Sequence, residues 1–164
     1  MKTLYLIGGT MGVGKTAVGC RLKEVLVNSV FLDGDWCWDA NPFRITEETK
    51  KMVIRNIIYL LNSFLECSVY ENIIFCWVMH EQSIINCIID SLNIDNCRVK
   101  MISLMASEIT LRKRIEFDVA NGVRTADVIN RSLARAPMYE ILDTVKINTD
   151  NKTIAEISDE IINL

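Results

Sequence analysis

Apolar positions in this chain fall into short unbroken runs, separated by longer stretches where they recur every three or four residues. Unbroken runs bounded by turn residues predict strands buried on both faces, and the wider spacing predicts amphipathic helices. A first strand is expected at Thr3–Gly8, then a helix from Lys15 to Asn28 with Ala17, Val18, Leu22 and Leu26 on one face. A second strand, Ser29–Asp33, runs into a loop carrying Trp36, Trp38, Pro42 and Arg44. A long helix follows at Glu47–Glu66, its buried face marked by Val53, Ile57, Leu60, Leu61 and Phe64. Asn72–Met79 predicts a strand, Gln82–Leu92 a helix and Arg98–Met105 another strand. The helix expected at Ser107–Asn121 stops at Gly122, a residue suited to a left-handed cap. Ala126–Tyr139 is helical, Asp143–Asn148 the last strand and Ile154–Ile162 the last helix. Strands alternating with helices call for an α/β fold on a parallel sheet with right-handed crossovers.

The chemistry starts where the first strand stops. Gly9-Thr10-Met11-Gly12-Val13-Gly14-Lys15-Thr16 is a complete G-x-x-x-x-G-K-T loop between a strand and a helix. Backbone without side chains at Gly9, Gly12 and Gly14 lets several N–H groups converge on one anion, and the following helix adds its positive end. Lys15 is expected to reach the β- and γ-phosphates of a nucleoside triphosphate, and the Thr16 hydroxyl to ligate Mg²⁺. Asp33 and Asp35 stand two residues apart at the end of the second strand, so both carboxylates can face the same crevice. Transfer of a phosphoryl group to an alcohol needs an oxygen site for the metal and a base that orients the acceptor. Two neighbouring carboxylates can divide those roles.

Bulk composition narrows the function. One domain of 164 residues, half apolar and with a net charge of −3, is not an extended nucleic-acid binder. No apolar stretch reaches the length of a membrane span, and the early phosphate loop leaves no room for a removable leader, so a cytoplasmic protein is expected. Six cysteines without a C-x-x-C pair, beside a single histidine, match neither a zinc site nor a disulfide framework; most are expected to be buried thiols.

The first strand, the phosphate loop and the D-x-D after the second strand together resemble the small P-loop kinases of low-molecular-weight acceptors. These are the shikimate, gluconate and adenylylsulfate kinases, chloramphenicol phosphotransferase, and nucleoside or nucleotide kinases. Phe31-Leu32-Asp33-Gly34-Asp35 is especially similar to the gluconate and adenylylsulfate kinase pattern. The resemblance covers nearly the whole chain. It implies a three-layer α/β/α P-loop NTPase fold, with a five-stranded parallel sheet in the order 2-3-1-4-5 and an arginine-rich helical lid at about 112–135. It further implies ATP and Mg²⁺ as cofactors, Asp33 in the metal shell and Asp35 as the acceptor-positioning base.

Five of the nine arginines, Arg112, Arg114, Arg124, Arg131 and Arg135, fall in that lid segment. The resemblance places adenine stacking at Arg112 or its neighbour Arg114, and phosphate contact at Arg124. The opposing expectation is a solvated helix surface paired with Glu108, Glu116, Asp118 and Asp127.

Two departures from the family pattern are visible. No aspartate closes the third strand, so either Asp33 or Glu81 serves the metal shell; and the lid lacks the histidine-rich pattern of gluconate kinase. A guanine-specific N-K-x-D is also missing, because Asn151-Lys152-Thr153 is followed by Ile154. Trp36, Trp38, Arg44, Arg55 and His80 are the candidate acceptor contacts, suited to a ring and to an anionic group. The expected partner is a small-molecule acceptor, and the expected state a monomer or homodimer. A nucleotide-binding switch or module without acceptor chemistry is the alternative.

Overall fold

A computed structural model describes all 164 residues. Five parallel strands order as 2-3-1-4-5. They are β1 (Lys2–Gly8), β2 (Ser29–Asp33), β3 (Asn72–Cys76), β4 (Cys97–Met105) and β5 (Val145–Asn148). Six helices accompany them: α1 (Lys15–Val25), α2 (Glu47–Glu66), α3 (Gln82–Ile89), α4 (Glu108–Ala120), α5 (Asp127–Arg135) and α6 (Ile154–Ile162).

Side chains of β1 alternate between two cores. Leu4 and Leu6 join Val53, Ile57 and Leu61 of α2 and Ile85 and Ile88 of α3. Tyr5 and Ile7 join Val18 and Leu22 of α1, Leu111 of α4 and Ile157 and Ile161 of α6. The central strand is therefore buried on both faces, as its unbroken apolar run requires. Ile57 has no exposed surface. Ile57→Ala is expected to lower unfolding free energy by about 2–5 kcal/mol in a urea titration.

Element ends follow local chemistry. Thr46 and Thr49 form a reciprocal capping box at the start of α2, and Thr153 and Glu156 do the same for α6. Gly122, at φ 70°, follows the α4 C-cap in the left-handed conformation expected of it. Several expected elements are shorter than the pattern suggested: α3 stops at Ile89 instead of Leu92 and β5 starts at Val145 instead of Asp143. β3 ends at Cys76 instead of Met79, opposite Asp33, the last residue of β2, and Ile7, one residue before the end of β1. α1 stops at Val25, and Asn28 turns the chain at φ 48°. The stretch 126–139 divides into α5 and a 3₁₀ turn at Ala136–Tyr139 that includes Pro137. The thiols correct another expectation: all six are free, but only Cys76 is buried, because the others lie on helix or loop surfaces and at the N-terminal end of β4.

Candidate active site

The loop expected to hold phosphate leaves β1 at Gly8 and enters α1 at Lys15. Gly12 has φ 81° and Gly14 φ 105°, values an L side chain rarely adopts. A Cβ at Gly12 would also stand 2.6 Å from Ile115 Cγ1, so α4 packs directly on the loop. The amides of Met11, Gly12 and Gly14 meet no acceptor within the protein. These free donors, with the N-terminus of α1 behind them, make a ready anion cradle.

Thr16 and Asp33 come together here. Thr16 Oγ1 donates to Asp33 Oδ2 at 2.7 Å, while Asp33 Oδ1 accepts the Asp35 amide at 3.1 Å. Asp33 is buried, and its two oxygens are thereby fixed. Because Thr16 spends its proton on Asp33, its lone pairs stay available to a cation. A hydroxyl and a carboxylate are hard oxygen donors, the type Mg²⁺ takes alongside phosphate oxygens and water. Glu81, the alternative, instead approaches His80 Nε2 at 3.5 Å beside α3.

Lys15 donates to the Thr10 carbonyl at 3.0 Å. Burial is the main force on its ammonium and pulls its pKa down to about 8, against the opposing pull of Cys76, Asp35 and Asp33. Asp35 moves the other way. It is open to solvent on one side, yet surrounding protein first, and the Asp33 charge second, raise its pKa; Lys15, the Trp77 indole and Arg124 oppose the rise. Asp33, Asp35, Lys15 and Arg124 thus share one electrostatic neighbourhood. Trp77 supports it from below, since a Cβ on Gly34 would lie 2.4 Å from Trp77 Cγ. Sequence reasoning placed Trp77 inside a strand and missed this contact.

A cleft of about 820 Å³ opens beside the loop, between α4 and the segment joining β5 to α6. Ile109, Phe117 and Ile154 give it apolar walls, and Lys113, Asn151 and Lys152 its polar rim. Arg114 lines it too, donating to Val13 O and Thr149 Oγ1, each at 3.1 Å, and to Thr149 O at 3.1 Å. Arg112 does not line it. Two helix positions away from Arg114, it points elsewhere and pairs with Glu108 at 2.9 Å. Arg124 lines the cleft while paired with Asp118 at 2.9 Å, and Arg131 pairs with Asp127 outside it. Arg135 lies near His80 and Tyr139.

The candidate acceptor contacts are scattered. Trp36 is 61% exposed, edge-on to Phe31 at 5.3 Å. Trp38 packs on the α2 core and against Phe43 at 4.4 Å. Arg44 and Arg55 are exposed and make no ion pair or hydrogen bond through their guanidinium groups. His80 is mostly buried, its Nδ1 without a hydrogen-bond partner; burial, then Arg135, lowers its pKa.

A glycine-rich loop between β1 and α1, on a 2-3-1-4-5 parallel sheet, defines a P-loop NTPase fold. Residues 6–134 match the AAA domain family, and the chain belongs to it. No curated protein matches the chain. Its fold is similar to that of a gluconokinase from Sinorhizobium meliloti 1021, with TM-score 0.72 and 19% identity over 98% of this chain and 90% of that one. It is also similar to a Deinococcus radiodurans tunicamycin resistance protein, with TM-score 0.74 and 16% identity over 99% and 95% of the two chains. A shikimate kinase from Aquifex aeolicus vf5 superimposes with TM-score 0.62 and 18% identity, over 98% and 94%. No helix is long and apolar enough to cross a membrane.

Proposed function

We propose that this protein is an ATP- and Mg²⁺-dependent phosphotransferase that moves the γ-phosphate to a hydroxyl or phosphate of a small molecule. The observation carrying this reading is the meeting of Thr16, Asp33, Lys15 and Asp35 at the mouth of the phosphate loop. The similarity of the fold to a gluconokinase and a shikimate kinase supports it.

The polyphosphate lies on the free amides of the loop, with the base in the cleft between Ile109, Phe117 and Ile154. Thr16 and Asp33 would hold Mg²⁺, which supplies charge neutralisation at the β- and γ-phosphates. Lys15 leaves the Thr10 carbonyl and neutralises the transferring group. Arg124, held at the cleft by Asp118, adds a second positive charge. Asp35 orients the acceptor hydroxyl and takes its proton as the new O–P bond forms and the bond to the ADP oxygen breaks. Phosphoryl transfer of this kind is mostly positioning and charge placement. The turn at 121–126, between α4 and α5, is the part of the expected lid that would close over the phosphates and exclude water.

Trp36, Arg44, Arg55 and His80 are the proposed acceptor contacts, and they suit a nucleoside, nucleotide, sugar acid or ring-bearing antibiotic. An ADP-release screen with ATP and Mg²⁺ across those classes tests the reading. One class should stimulate release at least tenfold over background, on the order expected of a positioned acceptor. ATP binding without stimulation by any class would favour a nucleotide-dependent module.

A further inference from the structure

Two loop carbonyls are held by side chains from distant helices. Ser132 Oγ, on α5, donates to Met11 O at 2.6 Å, and Thr10 Oγ1 donates back to Ser132 O at 2.9 Å. Ser132 has no exposed surface and Thr10 only 3%. Arg114 Nη1, on α4, donates to Val13 O at 3.1 Å. The loop peptides are trans, so each N–H points opposite to the carbonyl before it. Drawing Met11 O toward Ser132 therefore aims the Gly12 amide the other way, and drawing Val13 O toward Arg114 does the same for Gly14. Neither of those two amides has a protein acceptor.

We propose that Ser132 is a positioning residue for the phosphate loop, with Arg114 in the parallel role: by holding Met11 O and Val13 O, they set Gly12 and Gly14 N–H as anion donors. Carbonyl oxygens turned inward at either peptide would meet phosphate oxygens as like partial charges. The loop's readiness is thus built by α4 and α5, the helices that flank the 121–126 turn, and not by the loop sequence alone. Undocking α5 would release the Met11–Gly12 peptide and lower affinity for the polyphosphate without touching the base cleft. This inference rests on reading the loop as a polyphosphate cradle.

The test is the affinity of Ser132→Ala for inorganic tripolyphosphate, and separately for adenosine, in Mg²⁺ buffer well below the melting temperature. Tripolyphosphate binding is expected to weaken about tenfold, the scale of one misaligned charge-assisted hydrogen bond, with adenosine binding changed less than twofold. Ser132→Cys keeps the volume and a weaker donor, should the alanine variant fold poorly, and is expected to fall between the two. Equal weakening of both ligands would mean a general structural role and overturn the inference. Unchanged tripolyphosphate binding in folded variants would overturn it too. A wild-type protein that binds neither tripolyphosphate nor ATP would instead remove the proposed function, and this inference with it.

Discussion

Lys15→Ala is expected to lower acceptor-stimulated ADP release by about 10³-fold or more, with the fold intact by circular dichroism. Lys15 is the one ammonium seated at the loop, and its desolvated charge has little to do in the free protein except hold Thr10 O. The pH dependence carries a sign that checks the same residue. In the free protein Lys15 is charged below about 8 and loses its proton above it. Phosphate oxygens beside it favour the charged form, so nucleotide binding above pH 8 should take up a proton, and affinity should fall as pH rises. Calorimetry in buffers of different ionisation enthalpy measures that uptake, and Lys15→Ala should abolish it. For stability the sign is the reverse. Folding lowers the Lys15 pKa, so the cost of burying its charge is fully present below about 8 and is relieved as pH rises toward the unfolded value.

Asp35→Asn should reduce turnover by about 10²–10⁴-fold, the range for losing a general base, while ATP affinity stays near wild type. The amide keeps the size and one acceptor oxygen but cannot take the hydroxyl proton. Because burial and Asp33 raise the Asp35 pKa, the acidic limb of the wild-type rate profile should lie above that of an ordinary aspartate. That limb should vanish in the variant. Unchanged turnover would take Asp35 out of the mechanism and favour a module that binds nucleotide without transferring phosphate.

Elements whose ends are set by neighbouring residues could be read directly from the chain. Ser29–Asp33, Glu47–Glu66 and Ile154–Ile162 have the expected bounds, and two of them begin in capping boxes that close within four residues. Elements whose ends depend on a partner were overextended. β3 continues apolar through Trp77, Val78 and Met79, but no longer as strand once β2 has stopped and β1 is within a residue of its end. The clustered arginines show the same division. Their clustering is a sequence property; their roles depend on which side of α4 docks. Arg112 and Arg114 sit about 200° apart around the helix, and only Arg114 reaches the cleft.

By itself the sequence determined the order of strands and helices, the glycine loop ending in Lys15-Thr16, and the acidic pair at the close of the second strand. Each is written in spacings of a few residues, where covalent reach limits the outcome. Tertiary structure alone decided that Asp33, rather than Glu81, meets Thr16, that Trp77 underlies Gly34, and that Ser132 holds the loop 121 residues away. Those contacts join segments far apart in the chain, and no local pattern carries them. They exist because the sheet brings the ends of β1, β2 and β3 to one edge, and α4 and α5 pack against the loop there.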